Sequence, residues 1–330
     1  MEFLDYFISI SGITASIFFM TISVLGWHII GYKSSYHIYF KSILSILYFA
    51  FYLQSSMLFS ISMSALIRNG LLQFAYSNNN IRPVYYILRY IQNYSNNLIR
   101  FSIWFLIIER IIATKRRKTH EKNKSILVVI VLLALSISFA GILTNLRDII
   151  KIINQNFHQF LFLMDIPLII SLIVLRYINR SIRRHQDSVF LNLTEKYQIV
   201  ENIKSISKLM LTVCTFVLLS TTDLCIFLLI PDNIMEYQLR TLTNFIIKSL
   251  FYSAITLYLI NNSHKSTVTN KYTIICFQKY CCRKKRNKIF VSGNNLERPK
   301  KSVIKNIDGN ELLNIGTQEN YFEIFDKIWK

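Results

Sequence analysis

An all-α fold of seven transmembrane helices is what three features of this 330-residue chain predict. Hydrophobic residues make up 52% of it and charged residues only 17%, too apolar a balance for an ordinary water-soluble enzyme of that length. The apolar residues are gathered into blocks of roughly twenty, the length an α-helix needs to cross a hydrocarbon core of about 30 Å. Alternation with period two is absent over any useful length, and Gly (8) and Pro (4) are scarce, so a transmembrane barrel is disfavoured. A helix is the other backbone that satisfies its own polar groups in lipid.

The blocks run 7–30, 42–67, 84–113, 125–145, 157–178, 206–230 and 241–260. The first opens "MEFLDYFISISGITASIFFM" with no Lys or Arg before Lys33, which predicts an uncleaved span rather than a signal peptide with its basic start. No repeat and no Pro-rich or Gly/Ser-rich linker divides the membrane region, so 1–262 reads as one domain and 263–330 as a cytosolic tail.

Positive charge orients the chain. The formal charge is +20, and 27 Lys or Arg fall in the first, third and fifth loops and the tail, against five (Arg68, Arg82, Arg147, Lys151, Arg240) on the other side. Because Lys and Arg in short loops stay on the cytoplasmic side, the N-terminus is expected outside and the tail inside. The sequons at Asn93, Asn123, Asn179, Asn192 and Asn261 then all fall in spans or on the inner side, where they are not glycosylated. Cys214 and Cys225 lie in the sixth span and Cys276, Cys281 and Cys282 in the tail, leaving none for an extracellular disulfide.

Ionisable and amide residues within spans are expected to face the bundle interior. In the third span Arg89, Asn93, Asn96 and Arg100 fall within a sector of roughly 60° at about 100° per residue, which makes that face a bundle face. Asp165 in the fifth span precedes Pro167, a kink candidate. Asp223 in the sixth and Lys248 in the seventh each lie about 10 to 12 Å below the outer surface at 1.5 Å per residue, so they are expected to meet. A lysine in a seventh span invites a retinal Schiff base, but Asp223 as an ion-pair partner explains it with less. These residues are candidates for a polar network or ligand pocket.

The third span ends in "IIERIIATKRRKTHEKNK", where Glu109 and Arg110 meet a basic run that includes Lys115, Arg116 and Arg117. That pair either forms a releasable lock at the membrane edge or is a boundary arginine snorkelling to headgroups beside an acid. The basic run is placed to meet anionic lipid or a cytosolic partner. In the fifth loop, Ile199, Ile203, Ile206 and Met210 recur at helical spacing, with Tyr197, Glu201, Lys204 and Lys208 on another face. The sixth helix is therefore expected to extend into the cytosol, as a docking surface or as a solvated helix.

The run Glu109-Arg110-Ile111-Ile112-Ala113-Thr114 resembles the E-R-x-x-A-T signature that follows the third helix of nematode serpentine chemoreceptors of class epsilon. Tyr197-Gln198-Ile199-Val200-Glu201-Asn202-Ile203 is similar to the Y-Q-x-x-E-N-I signature of that class and of the related alpha and beta groups. The resemblance covers about 1–280. It implies a chemosensory receptor in a sensory-neuron plasma membrane, coupled to a heterotrimeric G protein. Glu109, Arg110, Tyr197, Glu201 and Asn202 of the two motifs, with Lys115, Arg116 and Arg117 of the basic loop, are the candidate coupling residues.

In the tail, Tyr272, Ile275, Cys276 and Phe277 with Lys271 and Lys279 predict a short interfacial helix. Cys281 and Cys282 beside Arg283-Lys284-Lys285-Arg286 pair a candidate acylation site with a polybasic patch, unmodified thiols being the alternative. No second Cys/His pair has ligand spacing, so neither a metal nor a cofactor is expected. Enzyme signatures are absent, and the inner loops account for the basic balance without nucleic acid. The reading is a receptor that binds an environmental small molecule in the outer half of its bundle. Its rivals are a seven-span transporter or ligand-gated cation channel, and a structural membrane protein. A tag at Met1 should be reachable from outside intact cells and one at Lys330 should not; immunostaining with the opposite pattern would invert the topology.

Overall fold

A computed structural model describes residues 2–32, 37–68, 71–76, 82–116, 125–149, 157–185, 193–230, 236–286, 304–305 and 311–312. It comprises two units, Met1–Asn261 and Asn262–Lys330. The first unit is all-α. Helix α1 (Glu2–Gly26) passes into a π-helical turn (Trp27–Tyr32), followed by α2 (Ile38–Ile67), a short α3 (Leu71–Tyr76), α4 (Arg82–Lys115), α5 (Ile126–Ile149), α6 (Phe157–His185), α7 (Leu193–Leu229) and the first half of α8 (Tyr237–Arg286), whose remainder falls in the second unit. The second unit holds two antiparallel two-residue strands, β1 (Ile304–Lys305) and β2 (Glu311–Leu312), which pair Ile304 with Leu312 and Lys305 with Glu311.

Six of the seven long helices are apolar enough to cross a membrane on length and composition. The exception is α4, which carries Arg89, Gln92, Asn93, Asn96, Asn97 and Arg100. Its place in the bundle makes up for that: Arg89, Gln92, Asn97 and Arg100 are all buried. In the apolar region of α5 only 17% of residues are buried, against 56% in α2, so α5 lies at the periphery and α2 at the centre. Both α1 and α4 pack along α2, and α6 packs along α7. Many hydroxyls in these helices donate to the preceding turn, as Ser23 does to Phe19 O (2.7 Å), Ser102 to Leu98 O (2.7 Å) and Ser253 to Ser249 O (2.7 Å), which satisfies them without water.

The main core links α1, α2 and α8 through Phe19, Phe51 and Tyr252, whose ring centroids lie 5.4 Å (Phe19–Phe51), 4.9 Å (Phe51–Tyr252) and 6.0 Å (Phe19–Tyr252) apart. Close approach nearby requires Gly26, because a Cβ there would fall 2.6 Å from the Tyr48 ring and 2.7 Å from the Thr256 methyl. A second cluster joins Ile8, Leu58, Leu71, Tyr85 and Phe245. There Asp5 accepts the N–H of Leu71 (3.0 Å), anchoring the start of α3, a helix too short to register in hydrophobic periodicity.

The second span starts at Ile38 and the fifth runs on to His185. The sixth helix begins at Leu193 and carries the amphipathic stretch as one continuous helix. The tail segment expected to form a separate short helix falls within α8, because no Gly or Pro breaks the stretch from Tyr237 to Arg286. The side chains of Cys281 and Cys282, and that of Tyr197, lie outside the described residues, as does Arg117.

Candidate functional site

Three arginines occupy successive stations along α4, roughly 16 Å and 15 Å apart at 1.5 Å per residue. At the first, the Arg89 guanidinium donates to Tyr85 Oη (2.9 Å), Gln92 Oε1 (2.8 Å) and the Gln238 carbonyl (3.1 Å). Tyr85 in turn donates to Gln238 Oε1, tying α4 to the start of α8.

Just below, a narrow cleft opens between α4, α5, α6, α7 and α8. Asn93 and Asn96 line its α4 wall, His158 its α6 wall, Asp223 and Phe227 its α7 wall, and Tyr237, Asn244 and Lys248 its α8 wall. Lys248 Nζ lies 3.2 Å from Asp223 Oδ2, and Asn244 donates to Asp223 Oδ1. His158 Nδ1 is 3.5 Å from Asp223 Oδ2, and its ring stacks on Phe227 with centroids 4.0 Å apart. Asp223 thus stands at the junction of three helices.

The second station closes the cleft floor. Arg100 donates through Nε to Asp165 Oδ1 (2.8 Å) and through Nη2 to Asp165 Oδ2 (3.1 Å), a bidentate pair between α4 and α6. Ser220 of α7 donates to Asp165 Oδ2 (2.7 Å), and Arg100 Nη1 donates to Asn97 Oδ1 (2.9 Å). Asn97 passes the chain on by donating to Thr144 of α5 (3.0 Å). Arg100 is 2% exposed and Asp165 is fully buried, so every charge here is met inside the protein.

The third station lies near the C-terminal end of α4. Arg110 donates through Nε to Glu109 Oε2 (2.5 Å) and through Nη2 to Glu109 Oε1 (2.7 Å). Its remaining nitrogen, Nη1, donates to Asn202 Oδ1 on α7 (2.9 Å), and the guanidinium lies 4.5 Å from the Phe40 ring centroid. One turn on, Thr114 accepts from Asn179 of α6 (3.0 Å) while Ala113 is buried. The E-R-x-x-A-T and Y-Q-x-x-E-N-I runs, 92 residues apart at Arg110 and Asn202, are therefore joined by a direct hydrogen bond.

A family model, Sre G protein-coupled chemoreceptor, matches residues 87–329. The chain belongs to that family. No curated protein matches it. The match begins within α4 and runs through the tail, so it differs from the 1–280 expected: the tail is part of the family pattern. With its apolar spans, this Sre receptor is a multi-pass membrane protein of a receptor family rather than an enzyme family.

Of the residues singled out in this receptor by sequence, Asn93, Asn96, Asp223 and Lys248 share one cleft. Arg89 lies above it, and Arg100 and Asp165 pair with each other. Glu109, Arg110 and Asn202 meet near the C-terminal end of α4, while Lys115 and Arg116 are exposed there. His158, Asn244, Ser220 and Asn97 escaped notice because each is an ordinary residue on its own helix. Two had a local signal: Asn244 precedes Lys248 by four residues and Ser220 precedes Asp223 by three, spacings that share a helix face.

Breaking a buried pair from one side costs about 3 to 5 kcal/mol, whereas removing both charges costs far less. Arg100→Met or Asp165→Asn alone is expected to abolish most surface expression, and Arg100→Met with Asp165→Leu to restore a measurable part. Flow cytometry of a tagged receptor reads this, and equal expression of the single and double variants would mean that the pair carries no weight.

Proposed function

We propose that the cleft beneath Arg89 is the chemical-ligand site of this Sre receptor, and that the Glu109–Arg110–Asn202 cluster restrains coupling to a heterotrimeric G protein. The topology read from Lys and Arg places the cleft in the outer half of the bundle and the cluster on the cytosolic side. A sensory-neuron plasma membrane fits the family.

The cleft favours a small neutral ligand with both donors and acceptors. Its charges are already answered by one another, so an ionic ligand would have to break a buried pair. Asn93 and Asn96 make no side-chain hydrogen bond to other described residues, and Asn244 Oδ1 is buried without a donor. The stacked His158 and Phe227 rings supply a flat apolar wall. Such a mix of apolar wall and few directed polar groups is how small-molecule sites obtain both affinity and orientation.

Coupling rests on one observation, the hydrogen bond from Arg110 to Asn202 across α4 and α7. With Glu109 on two guanidinium nitrogens, Asn202 on the third and the side chain buried, the resting arginine is closed to a partner. An apolar cleft lined by Phe40, Leu106, Leu209 and Tyr252 lies beside the cluster. Outward displacement of the inner half of α7 would widen that cleft. Agonist in the outer cleft touches Asp223 on the same helix, and so favours one α7 position over another by differential contact. The rival reading, transport, calls for paired helix interruptions in two halves; among the described helices only α6 has an interior proline, Pro167.

In cells carrying reporters for each G-protein pathway, Glu109→Gln is expected to raise ligand-independent signalling several-fold and Arg110→Ala to abolish signalling at equal surface density. Replacing Lys115, Arg116 and Arg117 together by Gln should reduce coupling less than Arg110→Ala does. Unchanged basal and stimulated signalling in both variants at 109 and 110 would leave Arg110 as a boundary residue only.

A further inference from the structure

One arginine inside a span has no role in the polar column. Arg176 lies in α6 two turns before the helix end, within the membrane-crossing stretch Phe157–Arg184. Among the described residues its only hydrogen bond goes to a thioether: Nη1 to Met210 Sδ of α7 (3.4 Å). Its Nε is buried with no acceptor. A guanidinium at this depth answered by sulfur alone is an unbalanced charge, since thioether sulfur is a weak acceptor and buried charges are otherwise paired.

The same side of α6 repeats the charge. Arg176, Arg180 and Arg184 recur every fourth residue, within an arc of about 80° and over roughly 12 Å of helix. With Tyr177, Ser181 and Met210 they line a cavity of about 350 Å³ at the α6–α7 seam. No acid lines it, and among the described residues none of the three arginines is paired with a carboxylate. Its deep end is apolar: Ile173 lines the cavity, and Ile170, Ile173 and Val174 are exposed on α6 towards the lipid.

We propose that this cavity binds an anionic phospholipid whose headgroup carries more than one phosphate. Three guanidiniums and two hydroxyls supply donors for several phosphate oxygens, where a singly charged headgroup would leave two arginines unanswered. The exposed isoleucines at the deep end provide a path for acyl chains that a soluble phosphate would not use. Basic pockets between helices at the cytoplasmic face are suited to such lipids. The inner-leaflet placement rests on the topology of the proposed function, but the binding itself does not, so it is tested apart from orientation. Bound there, the lipid touches Met210 on the helix proposed to move.

The test uses the full chain in detergent, with native mass spectrometry reading bound dioctanoyl phosphatidylinositol bisphosphate. Dioctanoyl phosphatidylserine and soluble inositol trisphosphate form parallel arms. The first bisphosphate lipid is expected to persist when Arg283, Lys284, Lys285 and Arg286 are all changed to Gln, and to fall at least tenfold in Arg176→Gln/Arg180→Gln/Arg184→Gln. Because Arg176 is partly buried, the single variants Arg180→Gln and Arg184→Gln, both at exposed positions, provide a second reading and should each weaken binding severalfold with an unaltered thermal midpoint in lipid-free detergent. Retention of the lipid in all three α6 variants would overturn the site. Equal occupancy by phosphatidylserine would overturn the multiple-phosphate requirement, and equal binding of inositol trisphosphate would overturn a lipid occupant.

Discussion

The polar face of α4 cannot meet lipid, and the arrangement of the other helices follows from covering it. Arg89, Arg100 and Arg110 each find an acceptor for all three guanidinium nitrogens, drawn from α4 and α8, from α4 and α6, and from Glu109 and α7 respectively. An uncompensated arginine in hydrocarbon is expensive however it is measured, and the seven helices of this receptor are positioned so that these three are compensated. That constraint also explains why the one long helix without a membrane-length apolar stretch is among the most buried. Hydrophobic burial, which organises water-soluble proteins, supplies little net drive between helices already surrounded by lipid; packing and buried polar contacts take over that role.

The same constraint decides what was legible in the sequence. Span number and the polar sector of α4 could be read because each depends on one segment at a time. Asp223 and Lys248 could be placed together because two depths, counted from the same surface, coincide, and they lie 3.2 Å apart. Arg100 and Asp165 could not be matched in that way: nothing in either helix states which neighbour it faces, and that is set by bundle order. For the same reason the bond from Arg110 to Asn202 was invisible, although both residues had been singled out from separate motifs. Helix α3 and the two short strands were missed because elements of six and two residues carry too little periodicity to register. The continuous α8 is the opposite case, where a change from apolar to basic composition suggested a break that the backbone, lacking Gly and Pro, does not make.

The three stations also describe how a signal would travel in the proposed mechanism. Asp223 and Ser220 lie on α7 above Asn202, so one helix bears the cleft wall, the floor contact and the inner restraint. Displacing that helix at its upper end stresses a bond at its lower end through a rigid element, without requiring a chain of side-chain movements. Each contact along it is a discrete hydrogen bond or ion pair that is either made or broken. Two packings of the bundle are more natural for such a helix than a graded tilt.

The central claim is that the inner half of α7 is held to α4 through Arg110 and Asn202 and departs on activation. Spin labels at the exposed positions Ile111 on α4 and Lys204 on α7 allow the separation of the two helix ends to be measured directly by pulsed electron resonance. The expected result is a short distance for the receptor alone and a longer one with nucleotide-free G protein, the longer population appearing without G protein when Asn202 is changed to Ala. A single distance distribution, unchanged by either G protein or Asn202→Ala, would contradict the account.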